Sequence, residues 1–238
     1  LPVLQRASLT VNAGECVVLH GHSGSGKSTL LRIITGKEEY ESQPEPNVPH
    51  LAITRASTVG FLEQNSGLDR SSKVMDEMMS VFSELLAVQD ELRRLEAEMA
   101  RPEIHENEKH FNEISAEYAH KTAYFEANEG YLINVKIKTV LNGMGFPPET
   151  YDRVISTLSG GEKTRLAMAK LLLESPRLLI LDEPTNHLDF DTIMWLEDYL
   201  QDYKGALLIV SHDRYFLDKL CTSICEIEHT HLRRWKGN

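Results

Sequence analysis

Short apolar runs punctuate an otherwise polar chain. Cys16-Val-Val-Leu19, Leu178-Leu-Ile-Leu181 and Ala206-Leu-Leu-Ile-Val210 are unbroken and flanked by turn residues. Runs of this length read as strands buried on both faces of a parallel sheet. Leu30-Leu-Arg-Ile-Ile34 and Glu162 to Leu173 carry helical spacing, and Cys221 to Glu228 reads as a helix end running into a strand. Strands alternating with helices predict an α/β fold. The middle of the chain has another rhythm. Leu85, Val88, Leu92, Leu95 and Met99 step by three and four, which is a heptad seam. Arg101-Pro102 interrupts it, since the residue before proline is pushed out of the α region. A second seam follows at Ile104, Phe111, Ile114, Tyr118 and Phe125, with Asn107 and Lys121 as polar interruptions. Two amphipathic helices with a proline-marked link predict an antiparallel hairpin over residues 85–128, reaching roughly 30 Å at about 1.5 Å per residue. A longer but ordinary packed helical subdomain is the alternative. Glu38 to His50, with Pro44, Pro46 and Pro49, reads as a loop.

The chemistry sits where strands end. Gly21-His22-Ser23-Gly24-Ser25-Gly26-Lys27-Ser28-Thr29 follows the first apolar run and precedes a helix, and it matches G-x-x-x-x-G-K-[ST]. Its glycines let backbone N–H groups turn inward around phosphate oxygens, and the helix N-terminus adds partial positive charge. Lys27 is placed to reach the β- and γ-phosphates, and the Ser28 hydroxyl to ligate Mg²⁺. Leu178 to Leu181 ends in Asp182-Glu183, two carboxylates at the carboxyl end of a buried strand. Asp182 would hold Mg²⁺ through water, and Glu183 would polarise an attacking water as general base. A helix-capping acid before Pro184-Thr185 is the bland alternative, and it weakens with a phosphate loop in the same chain.

These stretches bring a family into view. Leu158-Ser159-Gly160-Gly161-Glu162 resembles the signature of ATP-binding cassette proteins, and Gln64 and His212 resemble that superfamily's Q-loop and switch histidine. The resemblance implies a RecA-like parallel-sheet core, an antiparallel β subdomain and a helical subdomain. It also implies ATP and Mg²⁺ as ligands, with Gln64 serving the metal and the attacking water. Ser159, Gly160 and Gly161 would contact the nucleotide held by a partner cassette. Glu162-Lys-Thr-Arg165, Asn186-His-Leu-Asp189 and Ser211-His-Asp-Arg-Tyr215 are closer to the ABC-F subclass, soluble tandem-cassette ATPases that act on ribosomes as translation factors or antibiotic-resistance proteins. Ser23 departs from it, since ABC-F loops more often carry Asn there. The 95 positions from Gln64 to Ser159 leave room for the helical arm that ABC-F proteins insert in their first cassette. A single cassette is thus expected, with residues 1–66 and 159–238 as nucleotide-binding core and 67–158 as helical subdomain. An ATPase subunit of a membrane transporter is the competing function, and a nucleotide-gated scaffold without useful turnover is a third.

Composition narrows the setting. No apolar run approaches the roughly 20 residues of a membrane span, and no signal-peptide pattern is present, so a cytoplasmic protein without membrane insertion is expected. Three cysteines are too few for a disulfide framework. Cys221, Cys225, His229 and His231 lack zinc-site spacing. The net charge of −11 is awkward for a nucleic-acid binder. Residues 85–128 hold 5 Lys and Arg against 10 Asp and Glu, a face suited to a basic protein or to solvent. The family joins two cassettes, so a second cassette, in tandem or as a homodimer mate, is the expected partner, with the ribosome beyond it. Leu1 is not Met and Trp235-Lys-Gly-Asn238 resembles the start of a closing family motif, so the chain reads as the first half of a longer protein. Residues 1–20 contain no aromatic residue, which places the expected adenine-stacking side chain before Leu1.

Overall fold

A computed structural model of the chain describes residues 4, 8–39, 52–53, 57–62, 67–105, 107–186 and 188–237. They fall into two compact units. Residues 1–67, 143–145 and 159–238 form the first, and residues 68–142 and 146–158 the second.

The first unit is built on a six-stranded sheet in the order β2-β3-β4-β1-β5-β6. Its strands are β1 (Cys16–His20), β2 (Val59–Phe61), β3 (Leu178–Asp182), β4 (Ala206–Val210), β5 (Ser223–Glu228) and β6 (His231–Lys236). The apolar runs seen in the sequence are its centre: β4 is buried throughout and β1 in all but its last residue. All neighbours pair in parallel except β5 and β6, which form an antiparallel hairpin. His229 and Thr230 take positive φ of 47° and 68° there, the backbone of a tight turn whose twist suits paired strands. This hairpin is the antiparallel edge of the same six-stranded sheet. The loop expected at 38–50 lies outside them beyond residue 39.

The helices of this unit are α1 (Lys27–Ile34), α7 (Gly160–Glu174), α8 (Phe190–Gln201) and α9 (Arg214–Leu220). The step from β1 to β2 runs against the steps β2 to β3, β3 to β4 and β4 to β5. Right-handed crossovers therefore put α1 on one face and α7, α8 and α9 on the other. On the α1 face, Leu30 and Leu31 pack with Val17, Leu19, Ile180, Leu208 and Val210. On the other, the Tyr199 hydroxyl donates to the Leu172 carbonyl at 3.0 Å, tying α8 to α7, and Lys219 of α9 pairs with the buried Glu197 of α8.

The second unit is helical: α2 (Val74–Ser80), α3 (Ser83–Met99), α4 (Pro102–His105), α5 (Glu108–Ala127) and α6 (Ile133–Gly143), whose last residue belongs to the first unit. The hairpin expected over 85–128 is α3 packed on α5. Its cross-links run in opposite chain directions: Ser115 to Met99, Tyr118 to Glu96 at 2.7 Å and Lys121 to Glu91. Those pairings make the two helices antiparallel. One detail differs from the sequence reading. The second seam is not one helix from Ile104, because Pro102 opens a separate short turn and Asn107 starts α5 afresh. Its side chain accepts from the His110 N–H at 3.2 Å, a capping bond and not a polar interruption of a seam. Lys121 does lie on the seam, and it is tolerated because Glu91 and Glu117 both reach its ammonium.

Candidate functional site

Three strands deliver their ends to one edge of the sheet. β1, β4 and β3 are adjacent and parallel, so Gly21, Ser211 and Glu183 leave the same side, where open α/β sheets place ligands.

Residues Gly21 to Gly26 form a compact turn before α1. Gly26 sits at the N-cap position with φ 104° and ψ 10°, a left-handed conformation that glycine adopts without strain. No side chain caps α1, so its first-turn N–H groups face the loop without a side-chain acceptor. The Lys27 ammonium folds back over the turn, donating to the carbonyls of Gly21 at 2.7 Å and His22 at 3.0 Å. His22, Ser23, Gly24 and Ser28 are exposed, while Ser25, Lys27 and Thr29 are half-buried. The loop thus offers a cation, two hydroxyls and a helix N-terminus to an anion.

β3 ends in two carboxylates on the same side of the sheet as this loop. Asp182 pairs with Val210 in the β3–β4 register and is half-buried. Burial pushes its carboxyl above the usual range, and the cations Lys27 and Arg32 pull the other way. The next residue, Glu183, has φ 49°, a left-handed backbone that is costly for a residue with a Cβ. Its N–H donates to the Val210 carbonyl at 2.8 Å, and its carbonyl accepts from Asn186 N–H at 3.2 Å. The carboxylate turns towards the end of β4, where His212 Nε2 stands 3.5 Å from Glu183 Oε1. His212 itself is held by local turns. Ser211 Oγ accepts from the Asp213 N–H at 3.1 Å, and Asp213 caps α9 through Tyr215 and Phe216. Imidazole and carboxylate are thus neighbours.

Ser159 opens α7 through a reciprocal capping box. Its hydroxyl accepts from Glu162 N–H at 3.3 Å, and Glu162 Oε2 accepts from Ser159 N–H at 2.7 Å. The Ser-x-x-Glu spacing is legible in the sequence as a capping signature. Gly160 and Gly161 are the first residues of α7, with open space where a Cβ would stand. Asp189, the last residue of the Asn186-His-Leu-Asp189 stretch, caps α8 by accepting from the Thr192 N–H at 2.9 Å. Gln64 and His187 lie outside the described residues, as does Asn238 of the closing motif.

The family model described as ABC transporter matches residues 4–186, and the chain belongs to that family. Among curated proteins it is similar to YdiF of Bacillus subtilis, 45% identical over 99% of this chain and 35% of that protein. The tylosin resistance ATP-binding protein TlrC of Streptomyces fradiae is 37% identical over 95% of this chain and 40% of its own length. The energy-dependent translational throttle protein EttA of Escherichia coli is 34% identical, with 99% and 40% covered. ABC transporter F family member 5 of Arabidopsis thaliana, named for the subclass the sequence resembles, is 37% identical over 99% of this chain and 33% of that protein. The chain spans well under half the length of each. Its fold also matches a solved ATP-binding subunit of an ABC transporter, with TM-score 0.66, 17% identity, and 98% of this chain and 83% of that chain covered.

Proposed function

We propose that this chain is the ATP-binding and ATP-hydrolysing cassette of an ABC-F protein that acts on the ribosome, in translation or in protection from an antibiotic. The observation that carries the chemistry is the Glu183–His212 pair at 3.5 Å, next to a phosphate turn and a half-buried acid. Gly21 to Thr29 hold the phosphates of ATP, with Lys27 shifting from carbonyl oxygens to phosphate oxygens. Glu183 takes the proton of the attacking water, and His212 fixes the carboxylate and the water between them. Gln64, by resemblance, completes the shell around water and metal.

Mg²⁺ fits the residues present. Among the described residues no three His, Cys, Asp or Glu side chains are grouped to hold a metal alone. Mg²⁺ in phosphate sites needs only one or two protein oxygens beside the phosphates and its own waters. Ser28 would supply one oxygen directly and Asp182 another through water, and a cation there would offset the cost of burial that raises the Asp182 carboxyl. When bound, the metal neutralises charge on the β- and γ-phosphates.

The ribosomal part rests on relatives named for translational throttling and tylosin resistance. No described helix is long and apolar enough to cross a membrane. Ser159, Gly160 and Gly161 await the nucleotide of a second cassette, so a complete site needs a partner. The deciding experiment uses full-length protein bearing Glu183→Gln. Turnover should fall about 10²–10⁴-fold with ATP still bound, and the variant should co-sediment with ribosomes only when ATP is present. Parental turnover in the variant overturns the role of Glu183. Sedimentation that ignores ATP overturns the ribosomal reading.

A further inference from the structure

One half-buried cation lies outside the machinery just described. Arg165 is on the second turn of the signature helix α7, and its Nε has no exposed surface. It meets two other segments of the first unit. A Cβ built on Gly145 would stand 3.9 Å from Arg165 Nε and 3.6 Å from Thr192 Oγ1. Gly145 takes φ 76°, so the backbone passes between them in a conformation that side chains resist. Next to it, a Cβ on Gly143 would fall 2.0 Å from the Trp195 ring of α8. Residues 143–145 are therefore threaded against the head of α8, with Arg165 closing the gap from α7.

Thr192 carries the contact to the site. It is 3% exposed, and both its N–H and its hydroxyl serve the Asp189 carboxylate. These two bonds lower the Asp189 pKa, and the charge of Arg165 adds to them. Asp189 in turn ends the turn that starts at Glu183, through Asn186 N–H to Glu183 carbonyl and Leu188 N–H to Thr185 carbonyl. A residue held at φ 49° keeps that backbone only while its surroundings impose it.

We propose that Arg165 is a positioning residue: it ties the signature helix to Thr192 and Asp189 at the head of α8, and through them holds the turn that aims Glu183. The catalytic part rests on the ATPase reading above. Displacing α7 at its glycines then reaches the general base along a path inside one cassette, without a contact from Arg165 to nucleotide.

Two measurements test this. Hydrogen exchange on the 238-residue chain compares parent with Arg165→Ala and Arg165→Lys. Amides of residues 183–192 should exchange about ten-fold faster in Arg165→Ala, with β4 unchanged and Arg165→Lys in between, since Lys keeps the charge and loses the planar fork. Turnover in the full-length protein should show kcat down about ten-fold with KM changed less than about two-fold, mid-range for residues coupled in one network. Asp189→Asn keeps a capping oxygen and loses the charge, so its double variant with Arg165→Ala should be no slower than the slower single. Faster exchange spread evenly over the chain, or losses that multiply in the double variant, overturns the proposal. A parent that hydrolyses no ATP overturns the ATPase reading, and the exchange pattern at 183–192 still decides the positioning role.

Discussion

At the scale of single residues, Asp182 and Glu183 stand next to each other and are strained in different ways. Burial raises the Asp182 pKa, so folding favours its protonated form. The sign follows from linkage: a carboxyl raised on folding stabilises the protein below its unfolded pKa and withdraws that support as pH climbs through the folded value. Asp182→Asn should therefore melt higher than the parent at neutral pH. The gain should shrink as pH falls into the carboxylate range, which a series of melting curves would show. Losing the gain at pH 7, or keeping it unchanged in acid, contradicts the burial argument. Glu183 pays through its backbone, at φ 49°. Glycine relieves that geometry, so Glu183→Gly should be more stable by about 1 kcal/mol, or about 2–4 °C for a chain of this size. It should nevertheless be inactive. Glu183→Gln keeps the strain and loses only the base. Equal melting temperatures for the two variants would mean that the turn does not resist a side chain.

Secondary-structure elements were the most legible level. The apolar runs at 16–19, 178–181 and 206–210 became β1, β3 and β4 almost residue for residue, because a strand buried on both faces leaves no polar position to confuse its ends. The heptad steps likewise placed α3 and α5. What escaped the sequence were features fixed by distant neighbours. The positive φ of Glu183 depends on Val210 and Asn186, and the shielding of Arg165 Nε depends on a glycine twenty residues earlier. Asn107 was misplaced because a capping side chain and a polar seam residue share the same spacing. The end of the α5 hairpin offers a test at this scale. Gly130 is buried against Phe125, which is 1% exposed and meets the edge of Tyr131 at 4.9 Å. A Cβ on Gly130 would lie 2.3 Å from the Phe125 ring. Gly130→Ala should cost about 1–3 kcal/mol by overpacking, with hydrogen exchange accelerated within residues 68–142 and β1 to β6 unaffected. A variant with parental exchange in α5 would show that the ring has room to move.

For the whole molecule, the sheet does more than align loops; it also encloses the chain's three thiols. Cys16 on β1, Cys225 on β5 and Cys221 just before β5 are all buried. Burial raises each thiol, and Cys16 is pushed up to about 12. A thiol in that state is not a nucleophile at neutral pH, because the thiolate is the reacting species. The native protein should therefore stay unlabelled by a thiol-specific dye while the sheet is closed, and take up three equivalents when it opens. Labelling faster than global unfolding, at any of the three, would reveal a local opening of β1 or β5. The cassette thus carries its own clock: a cysteine engineered on any exposed helix can be tagged selectively, and the slow appearance of native label measures how often the sheet comes apart.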